Sequence, residues 1–332
     1  MNPRTVVTRW PLNASIIALA LLVALLVATI SLVPAQTAVL AQPEQAPVQE
    51  ERDIVYATHD GVELLGDLYS PRGGRGPFPA VLMVHGGGWR GGSRGAFTDL
   101  GRFLAQNGYV AFSVTYRLAP GEGQPSLETS TFPQNIWDLK AAVQYLRGEA
   151  EQLRIDPERL AATGGSAGGH LVAILGLTGG YEPFANPYDD EHADQPDNVD
   201  VVVPMAGIYD MVEQWERDVQ RRPQSPITEW YLGGPFYDGE VRARYYESSP
   251  AYHASTQNAS HTAWMVVWGT EDNVVTPEAQ AVRFVEDLTR ANATVQPLPL
   301  VGETHQSRIA DPGGWDVAVP RVLAFLDQQL KD

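Results

Sequence analysis

The chain has 332 residues, 23 basic and 40 acidic, giving a formal charge of −17, and it has no cysteine. Those counts exclude disulfide scaffolds, thiolate metal sites, cysteine nucleophiles and lipidation at Cys. So acidic a chain repels phosphates, which argues against nucleic acid as a partner, and its composition is that of a folded globular protein.

The N-terminus stands apart. Arg4 and Arg9 precede an almost wholly apolar run over 12–33, and no further charge appears until Glu44. A basic segment followed by an apolar one reads as an export signal, with small residues Val39 and Ala41 placed for cleavage before Gln42. The run is also long enough for an uncleaved anchor, since a span takes about 20 residues. Residues 1–41 are therefore read as a signal peptide or N-terminal anchor, with the remaining chain outside the cytoplasm in either case: secreted, periplasmic or membrane-anchored. The Pro/Gln/Glu-rich residues 42–52 read as a linker.

From residue 53 the chain alternates strands and helices. Residues 53–56 and 62–69 predict a hairpin around His59-Asp60-Gly61. Apolar runs at 80–85, 109–116, 159–163, 199–205, 262–268 and 294–300 predict strands. Helices are expected at 97–107, 135–146, 167–177, 277–290 and 316–330. This rhythm predicts one α/β domain over 53–332, with a mostly parallel sheet of about eight strands and helices on both faces. Residues 207–261 interrupt the rhythm with nine aromatics and are read as an insertion shaping a pocket or as a small satellite core.

The pattern G-x-S-x-G occurs twice, around Ser93 and around Ser166. Only Ser166 has a predicted strand directly before it and a helix directly after it, the context that lifts a nucleophile out of a sheet. Ser93 reads as a loop serine. Upstream, His85-Gly86-Gly87-Gly88-Trp89 offers backbone N–H groups unshielded by side chains, which suits an oxyanion hole. The acid is expected after a late strand, where Glu271 and Asp272 lie, with Asp210 as a rival after an earlier one. Among seven histidines, His305 follows the last strand, where a loop can return over the serine. His85 and His170 read as structural or supporting, and His59, His253 and His261 as surface or internally satisfied. The acidic stretch of Asp189, Asp190, Glu191, Asp194, Asp197 and Asp200 reads as a solvated loop, with calcium binding as its alternative.

Together with Tyr116-Arg117-Leu118-Ala119-Pro120 and Phe132-Pro133 followed by Asp138, these strings resemble the α/β-hydrolase superfamily. More closely, they resemble secreted carboxylesterases of the hormone-sensitive-lipase-like and feruloyl- or acetyl-xylan-esterase-like branches. Gly165 stands where the hormone-sensitive-lipase-like members usually carry Asp, which favours the second branch. The resemblance implies an α/β-hydrolase fold and a Ser166–Asp272–His305 triad. It also implies oxyanion donors at Gly87, Gly88 and Ala167, and it calls for no metal or organic cofactor. The expected substrate is a short-chain or aromatic carboxylic ester, as a small molecule or linked to a polysaccharide. The alternatives are a peptidase of the same fold and an inactive hydrolase-fold binding module.

Overall fold

The structure, a computed structural model, describes residues 47–120, 122–305 and 312–331. The signal or anchor segment 1–41 and residues 42–46 of the expected linker lie outside the described residues.

Eight strands form one sheet: β1 Val48–His59, β2 Val62–Pro71, β3 Phe78–Val84, β4 Val110–Val114, β5 Ile155–Gly165, β6 Val201–Met205, β7 Ala263–Gly269 and β8 Thr294–Leu300. Their spatial order is β1-β2-β4-β3-β5-β6-β7-β8. The first two strands pair antiparallel, as do β2 and β4, and every pairing beyond that is parallel. This is the expected α/β-hydrolase architecture.

The central strands are near-continuous apolar runs because both of their faces are covered. In β3 the period of two sends Ala80, Leu82 and Val84 to one face and Val81 and Met83 to the other. Helices α1 Thr98–Gln106, α2 Gln134–Gly148, α3 Ala150–Leu153 and α4 Ala167–Leu177 follow in chain order. The face of Leu82 is packed by α2 and α4, whose Leu139, Leu171 and Ile174 are fully buried. The face of Val81 meets Leu104 and Ala105 of α1.

The insertion is helical: α5 Met211–Arg221, α6 Ile227–Leu232, α7 Arg242–Glu247, α8 Pro250–His253 and α9 Thr256–Ala259. A π-helical turn at Glu278–Val282 opens α10 Arg283–Arg290, and α11 Pro312–Leu330 closes the fold by laying Val322 and Phe325 on the face of Val81.

One expectation changes, and one left open gains detail. Strand β1 begins at Val48, so residues 48–52 are not linker: Gln49, Glu50 and Glu51 pair with Ser70, Tyr69 and Leu68 of β2. A strand partner satisfies this polar backbone, and composition alone does not register that. The insertion's aromatics are mostly spent on one another. Trp215, Phe236 and Tyr245 make edge and tilted contacts, and Tyr231 stacks on Trp89 with ring centroids 4.5 Å apart.

Candidate active site

Parallel strands deliver their C-terminal ends to one edge of the sheet, and the loops leaving β3, β5, β7 and β8 meet there. Strand β5 ends at Gly165 and α4 begins at Ala167, leaving Ser166 alone to make the turn. Its backbone sits at φ 53, ψ −119, a region that costs a residue with a Cβ roughly 1–3 kcal/mol. The turn is held by a bond from the Ser166 N–H to the Met205 carbonyl at 2.8 Å, and by the His170 N–H reaching back to the Ser166 carbonyl at 2.9 Å. Gly168 lets α4 approach β3, because a Cβ there would lie 2.0 Å from the Val84 carbonyl oxygen.

The Ser166 Oγ lies 3.0 Å from His305 Nε2, and His305 Nδ1 lies 2.7 Å from Asp272 Oδ2. Asp272 is buried, and its second carboxylate oxygen accepts the N–H groups of Val274 at 2.8 Å and Val275 at 2.9 Å. The carboxylate is thus anchored by backbone on one side and orients the imidazole on the other. With Nδ1–H donated to Asp272, Nε2 is left as the acceptor for the serine proton. Sequence reasoning put these three residues together from segments more than 30 positions apart, and the structure brings all three within hydrogen-bond reach.

The glycine loop leaves β3 and passes directly beside the turn. A Cβ on Gly86 would stand 2.7 Å from the Gly165 carbonyl oxygen and 3.3 Å from Ser166 Cβ. Gly87 has φ 122, and a Cβ there would strike the Gly91 carbonyl at 2.3 Å. Among the described residues, no backbone carbonyl takes the N–H of Gly87 or Gly88. The Ala167 N–H, in the first turn of α4, has no partner within its own helix, and the helix dipole favours negative charge there. Fixed donors beside a hydroxyl–imidazole–carboxylate relay can stabilise an oxyanion formed when the hydroxyl attacks a carbonyl.

The profile of the family described as BD-FAE matches residues 66–288. The chain belongs to the BD-FAE family. It is 29% identical over 229 residues to a probable carboxylic ester hydrolase, LipM, of Mycobacterium tuberculosis, covering 65% of this chain and 46% of that one. It is 31% identical over 257 residues to the esterase LipC of the same organism, covering 76% and 59%. The chain therefore spans about half the length of these relatives. The solved structure of a thermophilic esterase from Thermogutta terrifontis superposes with a TM-score of 0.65 at 23% identity, covering 86% of this chain and 92% of that one, a likeness of fold.

The BD-FAE match takes in the glycine loop, Ser166 and Asp272 and ends before His305. The other candidates in this BD-FAE chain have different occupations. Ser93 is exposed and precedes a short 3-10 turn, Arg94–Phe97. Asp210 caps α5, accepting from Val212 and Glu213, and Glu271 is exposed. His85 stacks on Tyr116 at 4.5 Å, and burial lowers its basicity. His170 is fully buried, accepts from Trp89 Nε1 at 3.2 Å and donates to the Ser248 carbonyl at 2.7 Å; burial pushes its pKa down to about 4. His253 is buried against the Glu247 carbonyl, and His261 is exposed.

The acidic stretch is a solvated loop only in part. Asp190 bonds His59 Nε2 at 2.9 Å, and Asp197 bonds the buried ammonium of Lys140 at 2.6 Å. Asp190 and Asp197 are thus held by cations from distant segments, which local charge density does not reveal, while Asp189, Glu191 and Asp194 stay exposed. Sequence reasoning also passed over Arg90 and Arg222, which line a groove of about 440 Å³ beside Gly87 and Gly88. Arg90 follows the glycine loop by one residue, a proximity that was visible in the sequence.

Proposed function

We propose that this protein is a serine carboxylesterase. The relay from Ser166 through His305 to Asp272, with bonds of 3.0 and 2.7 Å, is the observation that carries the reading. The ester hydrolase and esterase names of the LipM and LipC relatives support it. Ser166 attacks the ester carbonyl as His305 takes its proton. Asp272 holds the imidazole and stabilises its cationic form, while the N–H groups of Gly87, Gly88 and Ala167 bind the oxyanion. His305 returns the proton to the departing alcohol, leaving an acyl-enzyme. Water deprotonated by His305 then releases the acid. Such a cycle calls on no metal or organic cofactor.

The substrates are short-chain or aromatic carboxylic esters, free or carried by a polysaccharide. The groove beside the glycine loop supports the short acyl limit, because among its described lining residues arginine and serine accompany a lone isoleucine. An alkyl tunnel would instead add about 0.8 kcal/mol per buried CH₂. The basic-then-apolar N-terminus supports export, with the catalytic domain outside the cytoplasm, either released or anchored. Among the described residues, no helix is long and apolar enough to cross a membrane.

Two measurements test the proposal. A fluorophosphonate probe labels the wild-type protein and spares Ser166→Ala. With p-nitrophenyl acetate, butyrate, octanoate and palmitate, kcat/KM stops rising beyond about four to six acyl carbons, where added CH₂ groups find no further contact. A maximum at palmitate with activation at an oil–water interface would turn the reading to a lipase.

A further inference from the structure

The groove beside the glycine loop is an inversion of the molecule's charge. The chain carries −17 overall, yet among the described residues this groove is lined by two guanidinium groups and by no carboxylate. It shares Gly87 and Gly88 with the proposed oxyanion donors, which places it beside the position proposed for the ester carbonyl. Arg222, Ser225 and Ile227 bring the insertion to its other wall.

The wall is set before any ligand arrives. The Arg90 guanidinium lies 4.1 Å from the centre of the Trp230 ring, and its Nε donates to the Pro120 carbonyl at 3.2 Å. Trp230 is itself buried and fixed by donating from Nε1 to Ser225 Oγ at 3.1 Å. Stacking and the Nε bond orient Arg90 in advance, which cuts the ordering cost of binding. By accepting from Trp230, Ser225 can turn its own hydroxyl hydrogen to a ligand. Ile227 closes on Gly88, its Cγ2 standing 3.0 Å from where a Cβ would be, and gives the groove a dry corner. A planar, permanently charged fork beside a hydroxyl donor matches a carboxylate. Further along α5, Arg217 and Arg221 both donate to the Asn273 carbonyl, next to Asp272, so the basic strip continues toward the relay.

We propose that the preferred ester carries a free carboxylate, which the Arg90–Arg222 groove binds while the ester carbonyl sits at Ser166. The inference rests on the esterase reading and names its substrate class.

The experiment uses two matched pairs of esters. One pair, p-nitrophenyl hydrogen glutarate and p-nitrophenyl valerate, places the charge on the acyl side. The other, 4-acetoxybenzoate and its methyl ester, places it on the alcohol side. The readout is the ratio of kcat/KM, anionic over neutral, in the wild type, Arg90→Gln and Arg222→Gln. The ratio is expected to fall about tenfold in each variant for one of the pairs, the scale of a lost charge-assisted hydrogen bond. Arg222 is exposed, so its substitution reports on recognition even if Arg90→Gln disturbs the Trp230 stack. Ratios that stay within about twofold of wild type for both pairs, in a protein that still cleaves neutral esters, would overturn the anionic class alone. A wild type inert toward all four esters would instead sink the esterase reading.

Discussion

Among the described residues three histidines bond carboxylates, and two of them, His305 and His59, end in opposite chemistry. His305 has Asp272 at 2.7 Å on Nδ1 and the Ser166 hydroxyl at 3.0 Å on Nε2. His59 has Asp138 at 2.7 Å on Nδ1 and Asp190 at 2.9 Å on Nε2. The first imidazole lies between an acceptor and a hydroxyl, so it can hand a proton along. The second lies between two acceptors, so its only satisfied form is the cation. Burial opposes that charge, but the bonds to Asp138 and Asp190 prevail and raise its pKa. Arg117 completes the cluster, reaching Asp138 from Nε and Nη2, Asp60 and the Tyr188 hydroxyl from Nη1, while Tyr188 stacks on His59 at 3.8 Å. A histidine–carboxylate contact alone therefore says nothing of catalysis. The third partner decides whether the pair moves a proton or locks a fold.

Removing that third partner gives the largest expected effect. Ser166→Ala lowers kcat about 10⁴- to 10⁶-fold, while Ser93→Ala, in an exposed loop, leaves it near wild type. Steady-state kinetics on p-nitrophenyl butyrate decide this, and normal turnover by Ser166→Ala would break the contrast at its root.

Exchanging the carboxylates sharpens it. Asp272→Asn keeps an oxygen for the Val274 and Val275 N–H groups but loses the charge behind the imidazole. We expect kcat to drop about 10⁴-fold with little change in Tm. Asp138→Asn strips one carboxylate from a buried cation pair and weakens the hold on Arg117, which destabilises the fold by about 3–5 kcal/mol. Chemical denaturation beside kinetics separates the two: a stability loss at Asp272 matching that at Asp138 would erase the distinction between relay and lock.

The two clusters also differ in how far the sequence exposes them. The Ser166 turn and the glycine loop are local devices. A strained φ and backbone approaches of 2.0–2.7 Å demand glycine at fixed offsets, and such demands are written into neighbouring residues. His305 and Asp272 follow strands whose apolar runs are easily read, so the order of elements placed them. The lock has no such script. His59, Arg117, Asp138 and Asp190 come from the end of β1, a loop after β4, a helix and the acidic stretch, and no spacing links them. Lys140 with Asp197 is hidden in the same way, a buried ion pair that reads in sequence as two surface charges. The insertion's aromatics left two readings open for a related reason: composition shows their number but not that Trp215, Phe236 and Tyr245 face each other.

Acid and alkali should separate the histidines next. The raised pKa of His59 means that its share of stability is complete below about 6.5 and is lost as pH rises through the folded value. His170 behaves in the opposite sense. Burial pushes it down to about 4, so its neutral form supports the fold above about 6.5 and that support is lost as pH falls toward 4, on the order of 3 kcal/mol at the limit. Unfolding free energies measured from pH 4 to 9 should fall on both limbs. His59→Gln should flatten the alkaline limb and leave the acid limb in place. An unchanged alkaline limb in that variant would show that His59 is not held as a cation.

The smallest expected effect is none at all, and it tests whether the acidic stretch belongs to the lock. Calcium needs carboxylates free to converge on it, typically with six to eight oxygens. Asp190 is committed to His59 and to the Asn186 amide at 2.8 Å. Asp197 divides its oxygens between Lys140 and the Gly180 N–H, each at 2.6 Å, and Asp200 accepts from the Leu160 N–H at 2.8 Å. Among the described residues, no three acidic or histidine side chains gather as a metal cluster would require. Excess EDTA should therefore leave both kcat/KM and Tm unchanged. A fall in Tm restored by calcium would assign the stretch to an ion and not to His59 and Lys140. A fall in kcat/KM restored by a divalent metal would strike instead at the metal-free relay of Ser166, His305 and Asp272.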